Sequence, residues 1–167
     1  EYPKNHKRYK LDKFKYKDEF LADIDSDLAL FNEILEKLHT LDLVKNDPKT
    51  DCLLKNVDSV LNEQPKEGEP KRKVIIFSEY VDTVNYLNES LEPIYGDRML
   101  VVAGDLTTSK INKINKNFDA SNTEQENDID ILLTSDKISE GFNLNRAGMV
   151  INYDIPWNPV RVIQRLG

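Results

Sequence analysis

The chain has 167 residues, 39% of them hydrophobic and 32% charged, with a net charge of −7, which suits one compact α/β domain with a smaller helical attachment. No apolar run approaches the roughly 18 residues of a membrane span, and neither a signal peptide nor a transmembrane helix is read. The lone Cys52 excludes an internal disulfide, so a reducing, cytoplasmic setting is expected, with the thiol as a packing residue.

Charge is unevenly spread. Lys4, Lys7, Arg8, Lys10, Lys13, Lys15 and Lys17 face only Glu1 and Asp12, a net +5 in the first 17 residues and −12 in the rest. Tyr2, Tyr9, Phe14 and Tyr16 interleave there, a mixture suited to phosphate charge and base stacking, or to a solvated end of a longer protein. Residues 1–24 are therefore set apart as a basic segment. From Asp25 to about Leu43, Phe31, Ile34, Leu35, Leu38 and Leu41 recur at helical spacing behind the caps Asp25, Ser26 and Asp27. Asp47-Pro48 starts a second helix, with Leu53, Val57, Val60 and Leu61 on one face, that stops before Gln64-Pro65. Residues 25–70 form a helical lead-in, and the polar run from Pro65 to Arg72 is the expected linker and domain boundary.

From residue 71 to 167, short apolar runs alternate with longer mixed segments, the pattern of βαβ units around a parallel sheet. Strands are expected at Val74–Phe77, Met99–Val102, Ile129–Leu133 and Met149–Ile151, and helices at Val81–Leu91, Thr108–Phe118 and from Asn158-Pro159 onward. Asp119 to Asp128 reads as an exposed loop.

A phosphate cradle GxxxxGK[ST] is absent, as are clustered cysteines or histidines for zinc and a GxSxG elbow. The polar residues gather instead where parallel strands end, the usual place for ligands. Ser78-Glu79-Tyr80 follows the first strand, Thr134-Ser135-Asp136 through Gly141-Phe142-Asn143-Leu144 follows the third, and Asn152 through Pro159 follows the fourth and leads to Arg161, Gln164 and Arg165.

These strings resemble motifs IV, V and VI of the second RecA-like lobe of superfamily-two helicases. The run GFNLNRAGMVINYDIPWNPVRVIQRLG is most similar to bacterial Swi/Snf-type ATPases of the RNA-polymerase-associated kind. The resemblance covers about residues 73 to 167. It implies the P-loop NTPase fold, a RecA-like parallel sheet flanked by helices, here with an N-terminal helical extension. It implies that Ser78, Tyr80, Thr134 and Ser135 meet nucleic acid, and that Gly141 and Asn143 approach the nucleotide sugar. Many relatives carry aspartate where this chain has Asn143. Gln164 and Arg165 would open motif VI, the catalytic segment, with the arginine fingers beyond Gly167. No metal ligand is implied within the chain; ATP and Mg would be used by the full-length protein, and the fragment alone would be inactive.

Thr134 and Ser135 also read as a simple helix cap. Glu79, an acid beside a phosphate site, would pair with a lysine or cap the next helix. Trp157, between Pro156 and Pro159, reads as a partly buried turn rather than a stacking platform, and Arg161 could pair with Asp154. The functional expectation is an ATP-dependent translocase or helicase whose partners are the N-terminal RecA-like lobe of the same polypeptide and DNA or RNA. The alternative is a non-catalytic RecA-like module that binds a protein through its N-terminal helices. A sugar-nucleotide transferase domain explains neither Trp157-Asn158-Pro159 nor Gln164-Arg165.

Overall fold

The computed structural model describes residues 10–43, 45–67, 71–138 and 141–166. The chain divides into two compact units between Asp47 and Pro48, upstream of the expected linker. The physical reason is that the second helix packs on the sheet domain: its Leu53, Val57 and Val60 are buried in that unit's core.

The first unit contains a short turn at Leu11–Lys13 and one long helix, α1, Lys17–Leu41. Helix α1 starts eight residues before the expected position. Asp18 and Glu19 in its first turn complement the helix dipole, and Asp25, Ser26 and Asp27, read as caps, lie inside it. Phe14 meets Phe20 edge-on at a centroid distance of 5.4 Å. Of the basic, aromatic segment, Tyr2, Lys4, Lys7, Arg8 and Tyr9 lie outside the described residues.

The second unit begins with α2, Pro48–Leu61, followed by β1 (Val74–Ser78), α3 (Val81–Tyr95), β2 (Met99–Val102), α4 (Thr108–Phe118), β3 (Ile131–Ser135), β4 (Met149–Asn152) and α5 (Pro159–Leu166). The four strands are parallel in the order β2-β3-β1-β4. Period-two alternation sends Val74 and Ile76 of β1 to one face, with Leu53, Val57, Val84, Leu87 and Leu91 of α2 and α3. Ile75 and Phe77 go to the other, against Ile114 and Phe118 of α4. Both faces of the sheet are thus covered, as a parallel sheet requires.

Three of these elements are capped by recognisable chemistry. Thr107 accepts a bond from Lys110 N at α4, Asn158 Oδ1 accepts from Val160 N at α5, and Gly96 takes a positive φ of 47° where α3 ends. Strand β3 ends two residues later than expected. Its register sets Thr134 beside Phe77 and Ser135 beside Ser78, so both hydroxyl residues belong to the strand. A 3-10 turn, Asp136–Ile138, follows them rather than an α-helix, which removes the simple helix-cap reading.

Candidate functional site

The carboxyl ends of β1, β3 and β4 bring together Ser78, Ser135 and Asn152. Asp154 ties two of these tips. Its Oδ2 accepts from Ser78 Oγ at 2.6 Å and its Oδ1 from Glu79 N at 2.6 Å. Ser78 is fully buried and its hydroxyl also accepts from Tyr80 N at 3.2 Å, whereas the Tyr80 ring is exposed. The buried Thr134 hydroxyl lies 3.2 Å from Val102 O and 3.0 Å from Ser135 O, so its single proton serves the sheet itself. Ser135 differs. Its Oγ is buried and has no hydrogen-bond partner among the described residues.

Asp136, next in sequence, receives two arginines from α5. Arg165 Nε donates to Oδ1 at 2.6 Å, and Arg161 Nη1 reaches Oδ2 at 3.1 Å. Arg165 is only 3% exposed. Its Nη1 also donates to Asn152 Oδ1 at 2.7 Å and Asp154 O at 3.3 Å, and its guanidinium lies 5.2 Å from the Phe77 ring centroid. A planar, always-charged fork is the side chain that can satisfy three elements at once. Arg161 pairs additionally with Glu79 at 3.3 Å. The expected Arg161–Asp154 pair is therefore replaced by Asp136 and Glu79, and Glu79 meets an arginine where a lysine or a helix cap was expected.

A cavity of about 190 Å³ opens between the sheet face, the 142–147 loop and α5, and Asn143, Gln164 and Arg165 share its lining with Phe77 and Phe142. Residues read separately as nucleotide-binding and as the start of the catalytic motif thus border one space. Gly141 stands at φ +83°, with nothing within 4 Å of where a Cβ would sit. Glycine is used there for its left-handed backbone, not for room. Asn143 Nδ2 donates to Asp119 Oδ1 at 3.0 Å. The Asp119 carboxyl is held below its ordinary range first by the Ser121 hydroxyl and amide, with Asn143 as a smaller contributor.

Two readings of the sequence are corrected. Trp157 is 95% exposed, not partly buried; only Pro156 beside it packs inward. Cys52 is exposed on α2 rather than packed. Asp136 and Asp154 hold the rim together; the sequence reading gave Asp136 no role and Asp154 only that of a possible partner for Arg161. The signal for Asp136 in the sequence is an acid directly after a strand, ahead of a later arginine pair four residues apart. Among the described residues, no group of three His, Cys, Asp or Glu side chains could hold a metal ion.

A family model described as helicase conserved C-terminal domain matches residues 49–167. The chain belongs to that family. It is 35% identical over 95 residues to an uncharacterized ATP-dependent helicase, YqhH, of Bacillus subtilis (strain 168), covering 57% of this chain and 16% of that protein. It is 31% identical over 121 residues to a probable ATP-dependent RNA helicase, ddx51, of Dictyostelium discoideum, covering 72% of this chain and 21% of the relative. The helicase lobe thus spans about a fifth of these relatives' length. The solved C-terminal part of the Fun30 ATPase domain superposes with a TM-score of 0.56 at 22% identity, over 92% of this chain and 49% of that one. That likeness is one of fold, and it bears out the RecA-like architecture expected for the lobe.

Proposed function

We infer that this lobe forms one wall of the cleft of an ATP-driven nucleic-acid translocase or helicase. The observation that carries the reading is Ser135: a buried hydroxyl without a partner among the described residues, at the carboxyl edge of the central strands, beside the Asp136–arginine network. Native proteins satisfy nearly all buried polar groups, and an orphan at a ligand-binding edge suits a phosphate oxygen supplied from outside. Ser78 and Thr134 hold the edge in shape from behind, and the exposed Tyr80 can meet the strand directly.

Gly141 and Asn143 would approach the nucleotide sugar, and Gln164 would face it across the shared cavity. Arg165 acts as a positioning residue, fixing α5 against the strand tips so that the segment after it is aimed at the phosphates. Bound ATP with Mg would supply the phosphoryl group and its charge neutralisation. The oxygens of Asp136 and Asp154 are already taken by arginines and by N–H and O–H donors, so the metal ligands and phosphate grip are assigned to the other lobe of the polypeptide. DNA or RNA and that lobe are the proposed partners, and lobe closure would complete the nucleotide pocket.

The test is ATP turnover of the full-length protein with and without nucleic acid. Ser135→Ala should weaken nucleic-acid stimulation by about tenfold while sparing the basal rate, and Gln164→Ala should lower both. Full stimulation in both variants would overturn the reading.

A further inference from the structure

Asn143 lines the cavity between the sheet face and α5, and an amide can offer that space either a donor or an acceptor. Half a turn about its last bond exchanges the two. Asp119 removes the choice. A carboxylate only accepts, so the amide nitrogen must face it, and Asn143 Nδ2 donates to Asp119 Oδ1 at 3.0 Å. Asp119 lies outside the cavity lining. The Asn143 carbonyl oxygen, which has no partner among the described residues, is the end left for the cavity.

Anchor and carrier are both fixed. Asp119 Oδ1 also accepts from Ser121 Oγ at 2.7 Å and Ser121 N at 2.8 Å, and these bonds lower its pKa, so it stays an acceptor at neutral pH. The loop bearing Asn143 is tied to the same segment. Arg146 N donates to Phe118 O at 3.0 Å, Ala120 N donates to Asn145 Oδ1 at 2.8 Å, and Arg146 Nη1 reaches Lys116 O at 2.9 Å and Glu126 O at 3.0 Å. A supporting side chain can hold another in one orientation only when both are held this way. We propose that Asp119 is a positioning residue of the nucleotide site: it turns the Asn143 amide so that the carbonyl oxygen accepts from a hydroxyl of the ATP sugar, and so makes the site prefer a ribonucleotide to its deoxy forms. The inference rests on the reading of Asn143 as the sugar contact. A sugar with C–H in place of that hydroxyl leaves the oxygen unpaired, and a site built to bond a hydroxyl rejects the analogue lacking it.

The experiment measures KM and kcat of the full-length protein, with nucleic acid present, for ATP, 2′-deoxyATP and 3′-deoxyATP. The unaltered protein should show a KM for ATP about fivefold below that of at least one deoxy form, as one hydrogen bond allows. Asp119→Ala should raise the ATP value by about fivefold, to meet the deoxy one, with kcat changed by less than about twofold. Ser121→Ala takes a hydroxyl from the same carboxylate but keeps the amide contact, so the KM values should stay. Asn143→Asp sets two carboxylates side by side and should lose the preference. Asp119→Asn/Asn143→Asp exchanges donor and acceptor and should restore it, a rescue that general disturbance of the loop would not give and that is still readable if Asp119→Ala fails to fold. Equal KM values in the unaltered protein, a preference that survives Asp119→Ala, its loss in Ser121→Ala, or no rescue in the double variant overturns the proposal. Where that happens while Gln164→Ala still lowers turnover, the cleft reading stands and the role of Asp119 alone falls.

Discussion

Asp136 and Ser135 are neighbours in sequence with opposite expected sensitivities. Asp136 is the anchor for a guanidinium that is almost wholly buried. Removing one partner of a buried pair leaves the other uncompensated, so Asp136→Ala should cost about 3 kcal/mol in urea unfolding. Arg161→Ala, which removes a pair whose arginine is half exposed, should cost less than about 1 kcal/mol. A ranking with Arg161 above Asp136 would show that Arg165 finds its support elsewhere. Ser135→Ala removes a hydroxyl that bonds nothing among the described residues, so stability should hold or rise by about 1 kcal/mol. A marked loss of stability would mean that the hydroxyl has a structural partner.

Lys73, just before β1, is a second residue-scale case, at the opposite end of the sheet from the strand-tip site. Its side chain is fully buried, donates to Ile129 O and to Asn117 Oδ1, and lies 5.4 Å from the Phe118 ring centroid. Burial first, then the nearby Arg146, lowers its pKa from 10.5 to about 8. Between these values the unfolded chain binds more protons than the folded one, so stability must rise with pH. Burial and the hydrogen bond to Asp58 push the Tyr95 phenol above its ordinary 10.0, which works the other way once tyrosine begins to ionise in the unfolded chain. The clean window is therefore pH 8 to 10. Thermal or urea unfolding should show a gain of about 1 to 2 kcal/mol across it, absent in Lys73→Met.

Among the elements, α2, β2 and α4 were legible because periodicity and caps agreed: α4 begins behind Thr107, and Thr107→Ala should cost about 1 kcal/mol. Unchanged stability in that variant would mean that the 3.3 Å bond to Lys110 N adds nothing. Strand β3 was misplaced because Thr134 and Ser135 look like loop residues, and only pairing with β1, a non-local fact, makes them strand. The early start of α1 was hidden in a charged stretch whose acids favour a helix beginning as readily as a cap. At the site, Ser78 and Ser135 were readable from their place after apolar runs, but the roles of Asp136 and Asp154 depend on residues 29 and 76 positions away. Trp157 was misread since two flanking prolines suggest a packed turn, and only one of them is buried. Helix α5 reverses the usual amphipathic sense, with Arg165 inward and Val160 and Ile163 outward, Ile163 at 66% exposure. Sequence pattern alone would have turned that helix around.

For the whole molecule, the place where one unit ends decides what can be cut away. Residues 65–72 contain two prolines and a glycine and read as a linker, yet α2 upstream of them buries Leu53, Val57 and Val60 with the β1 and α3 core. Thr50 and Tyr153 add a hydroxyl contact of 3.2 Å, and Lys49 lies 3.9 Å over the Tyr153 ring. A chain that starts at Pro48 should therefore unfold cooperatively within about 0.5 kcal/mol of the intact protein, since among the described residues the buried core residues all lie in the second unit. One that starts at Lys71 loses three buried aliphatic side chains, each worth about 1.5 to 3 kcal/mol, and should be unfolded or molten at room temperature. Urea unfolding of the two truncated chains separates the alternatives: if the shorter one matched the longer in stability, α2 would be an appendage and the boundary would lie in the linker after all.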